Sequence, residues 1–215
     1  DFKNTQKIGS GGSGKVYKAI YNNSSTFALK SYKHDTTHMK EVTNELKLLC
    51  KVHYHHNIIH FYGVTNIEDK EKYLLVLEYA DSGTLRSYLQ EKVESISWDL
   101  KLKFASEIAS AVSCLHENNV IHRDLHSNNF LVRQKTIKLA DFGLFHKISI
   151  IKYINQTKKS DVYSVGVLLW ELTSNRPPFS NLDQHQQLVL PFHISQGTLE
   201  EPIPNTPDEY INLYK

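Results

Sequence analysis

His122-Arg123-Asp124-Leu125-His126-Ser127-Asn128-Asn129, followed twelve residues later by Asp141-Phe142-Gly143, is the stretch on which the reading of this chain turns. Upstream of it, Leu102, Ala105, Ile108, Ala109, Val112 and Leu115 recur every three to four residues. That period predicts a long amphipathic helix, with Ser97 as its N-cap and Asp99 in its first turn. Between the two quoted segments, Thr136–Ala140 reads as a strand. Asp124, Asn129 and Asp141 therefore fall in loops at the ends of regular elements. Each alone would be an ordinary solvated loop residue.

Further upstream the chain changes character. Val16–Ile20 and Thr26–Ser31 alternate in polarity around the Asn22–Ser25 turn, which predicts a small antiparallel sheet. A helix is expected from about Thr37 to Val52, with Val42, Leu46, Leu49 and Cys50 as its apolar stripe. Strands are expected near Ile59–Thr65 and Tyr73–Glu78. Beyond the linker at Tyr79–Gly83 the pattern turns helical, with a further helix from about Ser160 to Thr173 ended by Pro177 and Pro178. The outline is an α+β chain of two lobes: a β-rich part over 1–78, a hinge at 79–83, and a mostly helical part over 84–215. A cleft between lobes is a common ligand site.

Two features of the first lobe carry chemistry. Gly9-Ser10-Gly11-Gly12-Ser13-Gly14-Lys15-Val16 fits G-x-G-x-x-G-x-V, and glycines let backbone N–H groups approach phosphate oxygens. A strand follows it rather than a helix, which argues against a dinucleotide-binding turn and for a hairpin cover. Lys30 closes the apolar strand Phe27-Ala28-Leu29-Lys30, and a lysine there needs a charge partner. Glu45 borders the helix stripe and is the expected partner, with Glu41 one turn earlier as its rival.

Composition excludes several classes. With 40% hydrophobic and 22% charged residues in 215, the chain is globular rather than disordered. A net charge of +2 gives no argument for a nucleic-acid partner. Cys50 and Cys114 form neither a CxxC pair nor a disulfide framework; both are expected as buried small side chains, in a cytoplasmic, reducing setting. No apolar stretch approaches the roughly 18 residues of a membrane span, so no direct membrane contact is expected. No histidine has the spacing of a zinc ligand, and no heptad indicates an oligomeric state.

Taken together, the glycine loop, Ala28-Leu29-Lys30, the His122–Asn129 segment and Asp141-Phe142-Gly143 resemble the protein kinase family, in that order along the chain. Ser160-Asp161-Val162-Tyr163-Ser164-Val165-Gly166 and Trp170-Glu171 resemble the central helix of its larger lobe, with a flavour closest to the tyrosine-kinase-like group. The resemblance implies phosphoryl transfer from ATP with Mg2+ to a protein hydroxyl, within signalling. It implies that Lys30, held by Glu45, meets the α- and β-phosphates, and that Asp124 orients or accepts the attacking hydroxyl. Asn129 and Asp141 would bind magnesium, which prefers hard oxygen ligands. Ile8, Gly9, Gly11, Gly14 and Val16 would cover the nucleotide, with Ala28 and Leu131 sandwiching the base. Leu77 would gate the deep pocket, and Glu78 and Ala80 would offer backbone groups to the adenine edge. His122 and Arg123 would brace the loop, and His55-His56-Asn57-Ile58-Ile59 would form a structural turn.

Two departures stand out. Positions two and four after Asp124 hold His126 and Asn128, matching neither the Lys of many serine/threonine kinases nor the Ala/Arg pair of many tyrosine kinases. His126 is a candidate donor to the transferring phosphoryl, and the reading favours serine/threonine. Only 20 residues separate Asp141 from Asp161, with no A-P-E anchor. The resemblance therefore implies a shortened activation segment and a C-terminus cut short at Lys215. Either residues are absent from this sequence, or the chain itself is short. In the second case it would be a pseudokinase, a nucleotide-binding scaffold without transfer.

Overall fold

The computed structural model describes residues 2–11, 14–32, 36–67, 70–93, 95–142, 151–183, 186, 188–190, 194 and 198–215, with the backbone alone at 11, 36–42, 44, 66–67, 70–72 and 151–157. Five strands form one antiparallel sheet in the order β1-β2-β3-β5-β4: β1 (Phe2–Gly11), β2 (Gly14–Tyr21), β3 (Ser25–Ser31), β4 (Phe61–Ile67) and β5 (Lys70–Glu78). The central strands β3 and β5 are apolar at consecutive positions because both their faces are covered. Ala19, Leu29, Leu74 and Val76 pack on one face. Ala28, Leu75 and Leu77 belong to the main core on the other. Lys30 shares this second face, two residues on from Ala28, so strand periodicity alone puts an ammonium under the sheet.

Helix α1 (Thr36–Val52) lies between β3 and β4 in the chain. Its buried face runs Glu45, Leu48, Leu49 and Val52. This is a helix stripe at i, i+3, i+4, i+7, rotated from the expected one. Leu49 is buried as expected, but Leu48 takes the place of Cys50, which is exposed while Cys114 is buried. Glu41 and Val42 lie outside the described side chains.

The remaining elements are mostly helical. They are α2 (Leu85–Glu91), α3 (Trp98–Glu117), a hairpin of β6 (Phe130–Arg133) and β7 (Thr136–Leu139), α4 (Ile151–Ser174) and a short α5 (Asp208–Ile211). Ser97 caps α3 by accepting the Leu100 N–H at 3.3 Å. The α3 face that meets the core holds Phe104, Ala105, Ile108, Ala111, Val112 and Leu115, whereas Leu102 is exposed. The helix expected from Ser160 begins nine residues earlier, at Ile151. No Pro or Gly between Ile151 and Ser160 stops it, and Lys158 ties its side to α3 through the His116 carbonyl at 2.9 Å.

The sheet and the helical part are joined by more than the hinge. Asn57 donates its side-chain amide to the Ile137 carbonyl, and its own carbonyl accepts the Leu139 N–H. Val132 N–H bonds to the Gly83 carbonyl. The hairpin β6–β7 thereby forms the floor of a cleft whose roof is the sheet.

Candidate active site

The cleft encloses about 420 Å³, within the usual range for a small-molecule site. Of the residues expected to line it, Ile8, Gly9, Gly14 and Val16 form the roof. Ala28 and Leu131 flank the cavity, Leu77, Glu78 and Ala80 close its hinge side, and Lys30, Glu45, Asn129 and Asp141 its polar end. Gly11 pairs with Gly14 across the β1–β2 hairpin. Gly14 is required at its position: with φ at +133°, an added Cβ would lie 1.9 Å from the Ser31 carbonyl oxygen. The hinge side is prepared by the fold. The Glu78 N–H is committed to the His60 carbonyl at 2.9 Å. The buried Glu78 carboxylate is paired with Arg133 at 2.9 Å and Lys138 at 3.1 Å.

At the polar end, Lys30 Nζ donates to both Glu45 oxygens, at 2.9 and 3.0 Å, and to Asp141 Oδ1 at 2.9 Å. Burial alone would lower its pKa, but the Glu45 and Asp141 carboxylates outweigh it and hold the ammonium above its ordinary value of 10.5. The cation thus bridges β3, α1 and the loop after β7, three elements that are distant in sequence. The Tyr32 hydroxyl also donates to Glu45.

The second polar group lies on the loop between α3 and β6. Asn129 Nδ2 donates to the Asp124 carbonyl at 2.8 Å and to its carboxylate at 3.2 Å. With its nitrogen so used, the amide oxygen is the end of Asn129 left for a cation. His126 Nε2 lies 3.5 Å from Asp124 Oδ2. The backbone here is strained. Arg123 has φ +69° and Asp141 φ +59°, and a non-glycine residue in this region costs on the order of 1–3 kcal/mol.

Asp161, buried in α4, offsets part of that strain. It accepts the N–H groups of His122 and Arg123, each at 2.9 Å, and bonds His116 Nε2 at 2.9 Å. Burial would raise its pKa, yet these donors bring it below its ordinary value. The His122 ring is buried against Phe142, with centroids 5.5 Å apart, and burial keeps its pKa low, hence the ring neutral at neutral pH.

A third network went unread in the sequence. Ser127 donates to Glu171 Oε1 at 2.7 Å, and Arg86 of α2 donates to Ser127 at 2.8 Å and pairs with Glu171 at 2.9 Å. The signal available was a carboxylate at each end of an apolar run, Asp161 before Val162 and Glu171 after Trp170. Carboxylates so placed are buried and must find donors. Tyr32 and Arg86 carried no comparable signal.

The oxygen donors Asn129 and Asp141 suit magnesium, which takes few protein ligands and completes its shell with water and phosphate. Among the described residues no group of three or more His, Cys, Asp or Glu could hold a metal without such help. No helix of the described residues is long and apolar enough to cross a membrane. Residues 143–150, which include Gly143 and the first part of the segment expected to be shortened, lie outside the described residues.

Comparison with known proteins agrees with this geometry. Residues 2–158 match the family described as protein tyrosine and serine/threonine kinase. A probable LIM domain-containing serine/threonine-protein kinase of Dictyostelium discoideum is 30% identical, over 97% of this chain and 35% of the relative. A calcium/calmodulin-regulated receptor-like kinase of Arabidopsis thaliana is 36% identical over 86% of this chain and 47% of its own length. The mitogen-activated protein kinase kinase kinase dlk-1 of Caenorhabditis briggsae is 33% identical over 94% of this chain and 24% of its own. The chain therefore spans less than half the length of these relatives.

Proposed function

This chain belongs to the protein tyrosine and serine/threonine kinase family, and we propose that it transfers the γ-phosphate of ATP to serine or threonine hydroxyls of a protein substrate. The observation that carries this reading is the position of Lys30, an ammonium held between Glu45 and Asp141 at the polar end of a nucleotide-sized cavity. The preference for serine and threonine is supported by relatives whose names state it, such as those of Dictyostelium discoideum. We also assign 1–78 to the smaller lobe, 79–83 to the hinge and 84–215 to the larger lobe. A cytoplasmic setting fits the unpaired Cys50 and Cys114.

In this proposal the chain's own groups do the following. The glycine hairpin covers the nucleotide, and Ala28, Val16 and Leu131 pack on its base. Lys30 holds the α- and β-phosphates, while Glu45 keeps its side chain aimed at them. Asn129 and Asp141 would hold magnesium through their oxygens, and the ion would supply screening of the triphosphate charge. Asp124 orients the attacking hydroxyl and receives its proton, positioned by the bonds from Asn129. His126 stands beside Asp124 as a donor to the phosphoryl group.

Asp124→Asn tests the assignment. Transfer should fall by about 10²–10⁴-fold, the usual contribution of a positioned base, while Mg·ATP binding is kept. A wild-type chain that binds Mg·ATP and transfers nothing to any protein would replace this reading with a nucleotide-binding module. The 20-residue interval between Asp141 and Asp161 favours that second reading.

A further inference from the structure

Ser127 is 0% exposed and stands between Asp124 and Asn129 in the chain. Its hydroxyl donates to Glu171 Oε1 of α4 at 2.7 Å and accepts from Arg86 Nε of α2 at 2.8 Å. Its carbonyl accepts the Arg86 N–H at 3.2 Å. The hydroxyl therefore uses its proton and a lone pair, and both partners sit on helices, so rigid elements fix its direction.

Asp124 is held differently. Its carboxylate accepts from Asn129 Nδ2 at 3.2 Å, and His126 Nε2 lies 3.5 Å away. Those contacts run within the loop of residues 122–129 and set its internal shape. Where the loop sits against the rest of the molecule is set by its anchors. Asp161 takes the N–H groups of His122 and Arg123, and the Ala140 N–H bonds the Asn129 carbonyl at 2.8 Å. Ser127 is anchored between these two places. Arg86, which grips it, follows two residues after Thr84 of the cleft lining. The serine thus ties the span that carries Asp124 to the helix that leaves the cleft.

We propose that Ser127 is a positioning residue for phosphoryl transfer, aiming the Asp124 carboxylate through the bonds of its hydroxyl to Glu171 and Arg86. This rests on the reading of Asp124 as the group that orients the attacking hydroxyl, and deepens it. Phosphoryl transfer depends almost wholly on positioning and electrostatics, and a displacement of about 1 Å can cost about 10²-fold.

Ser127→Ala removes the hydroxyl and leaves the Arg86–Glu171 pair at 2.9 Å and the backbone bond to Arg86. Its kcat should fall by about 10- to 100-fold. Mg·ADP affinity, measured by calorimetry, and KM for ATP should stay within about twofold of wild type, because the nucleotide contacts are untouched. Arg86→Ala should lower kcat as well. The double variant should lose no more than the larger single loss, since residues that act as a unit are not additive. A Ser127→Ala kcat within about twofold of wild type would overturn the proposal, because the hydroxyl would then serve stability alone. So would losses that multiply in the double variant, or a loss of Mg·ADP affinity alongside kcat in Ser127→Ala. If the wild-type chain transfers nothing, the reading of Asp124 fails by itself, and hydrogen exchange decides the role of Ser127. Faster exchange of the 124–129 amides in Ser127→Ala would support it as the residue that fixes this loop, and unaltered amides there would overturn it.

Discussion

Helix α4 supports the loop of residues 122–129 at two places, ten residues apart, with two carboxylates that behave in opposite ways. In the middle of the helix Asp161 is 1% exposed, and near its C-terminal end Glu171 is 2% exposed. Burial pushes both toward the neutral form. Asp161 nevertheless ends below its ordinary pKa of 3.8, whereas Glu171 ends above its ordinary 4.5. The difference lies in the donors. Asp161 receives two backbone N–H groups, which are fixed by the loop and cannot turn away, together with His116. Glu171 receives a serine hydroxyl and a quarter-exposed arginine. Burial sets the direction at Glu171 and is overcome at Asp161. The number and rigidity of the donors aimed at each carboxylate separate the two cases.

The most severe way to break this pair is Asp161→Ala. It leaves two backbone N–H groups without an acceptor beside a strained Arg123, and removes the partner of His116. A loss of about 3–5 kcal/mol is expected, the range for breaking a buried charged network, read from urea unfolding. The pH dependence gives the same contrast with signs. Because the folded pKa of Asp161 is depressed, its stabilisation is present above pH 3.8 and is lost as pH falls through the folded value. Glu171 has a raised folded pKa, so the folded state holds its proton more readily. Its ionisation opposes folding as pH rises from 4.5 through that raised value. Unfolding curves followed downward from about pH 5 to about pH 2 should therefore show a shallower acid loss for Asp161→Asn than for wild type.

Arg86→Ala should come next, at about 1–3 kcal/mol at pH 7, since it strips a buried carboxylate of its cation. The cost should shrink as pH falls, because Glu171, whose pKa is already raised by burial, can take up a proton in place of the lost partner. A cost that is constant with pH would mean that Arg86 acts by packing its stem rather than by charge.

Which parts of this were legible in the sequence follows from chain distance. The glycine hairpin, Lys30 and the Asp124–Asn129 loop are read from contiguous spacing, and the cleft gathers them because strand alternation puts Lys30 on the same face as Ala28. The phase of a helix is harder. Period alone did not say that α1 turns Leu48 inward and Cys50 outward, or that α3 leaves Leu102 exposed, because the neighbouring surface sets the phase. The supports at Asp161 and Glu171 join residues about 40 positions apart, and nothing local announces the partner. Tyr32 bonds to a helix 13 residues on through a side chain that would pass as plain core.

A milder change tests whether the Glu171 end is one unit. Thr84 caps α2 by accepting the Ser87 N–H at 3.1 Å, and α2 delivers Arg86. Thr84→Ala should cost about 1 kcal/mol, as a lost N-cap does. Combined with Arg86→Ala it should be less than additive, by at least about 0.5 kcal/mol, whereas combined with Asp161→Asn it should add. Additivity in both pairs would separate the cap from the Glu171 network.

The smallest expected effect discriminates most sharply. Glu171→Gln keeps an acceptor for Ser127 and for Arg86 and removes a charge that burial already disfavours. Stability at pH 7 should stay within about 1 kcal/mol of wild type, since the lost charge-assisted bond and the relieved desolvation nearly cancel. Asp161→Asn, made on the same helix with the same atom change, should cost more. The amide must turn its nitrogen away from two N–H donors and leaves only one oxygen to accept both. Equal losses for the two amides would mean that the fixed backbone donors give Asp161 no advantage over Glu171, and the distinction between the two carboxylates of α4 would fall.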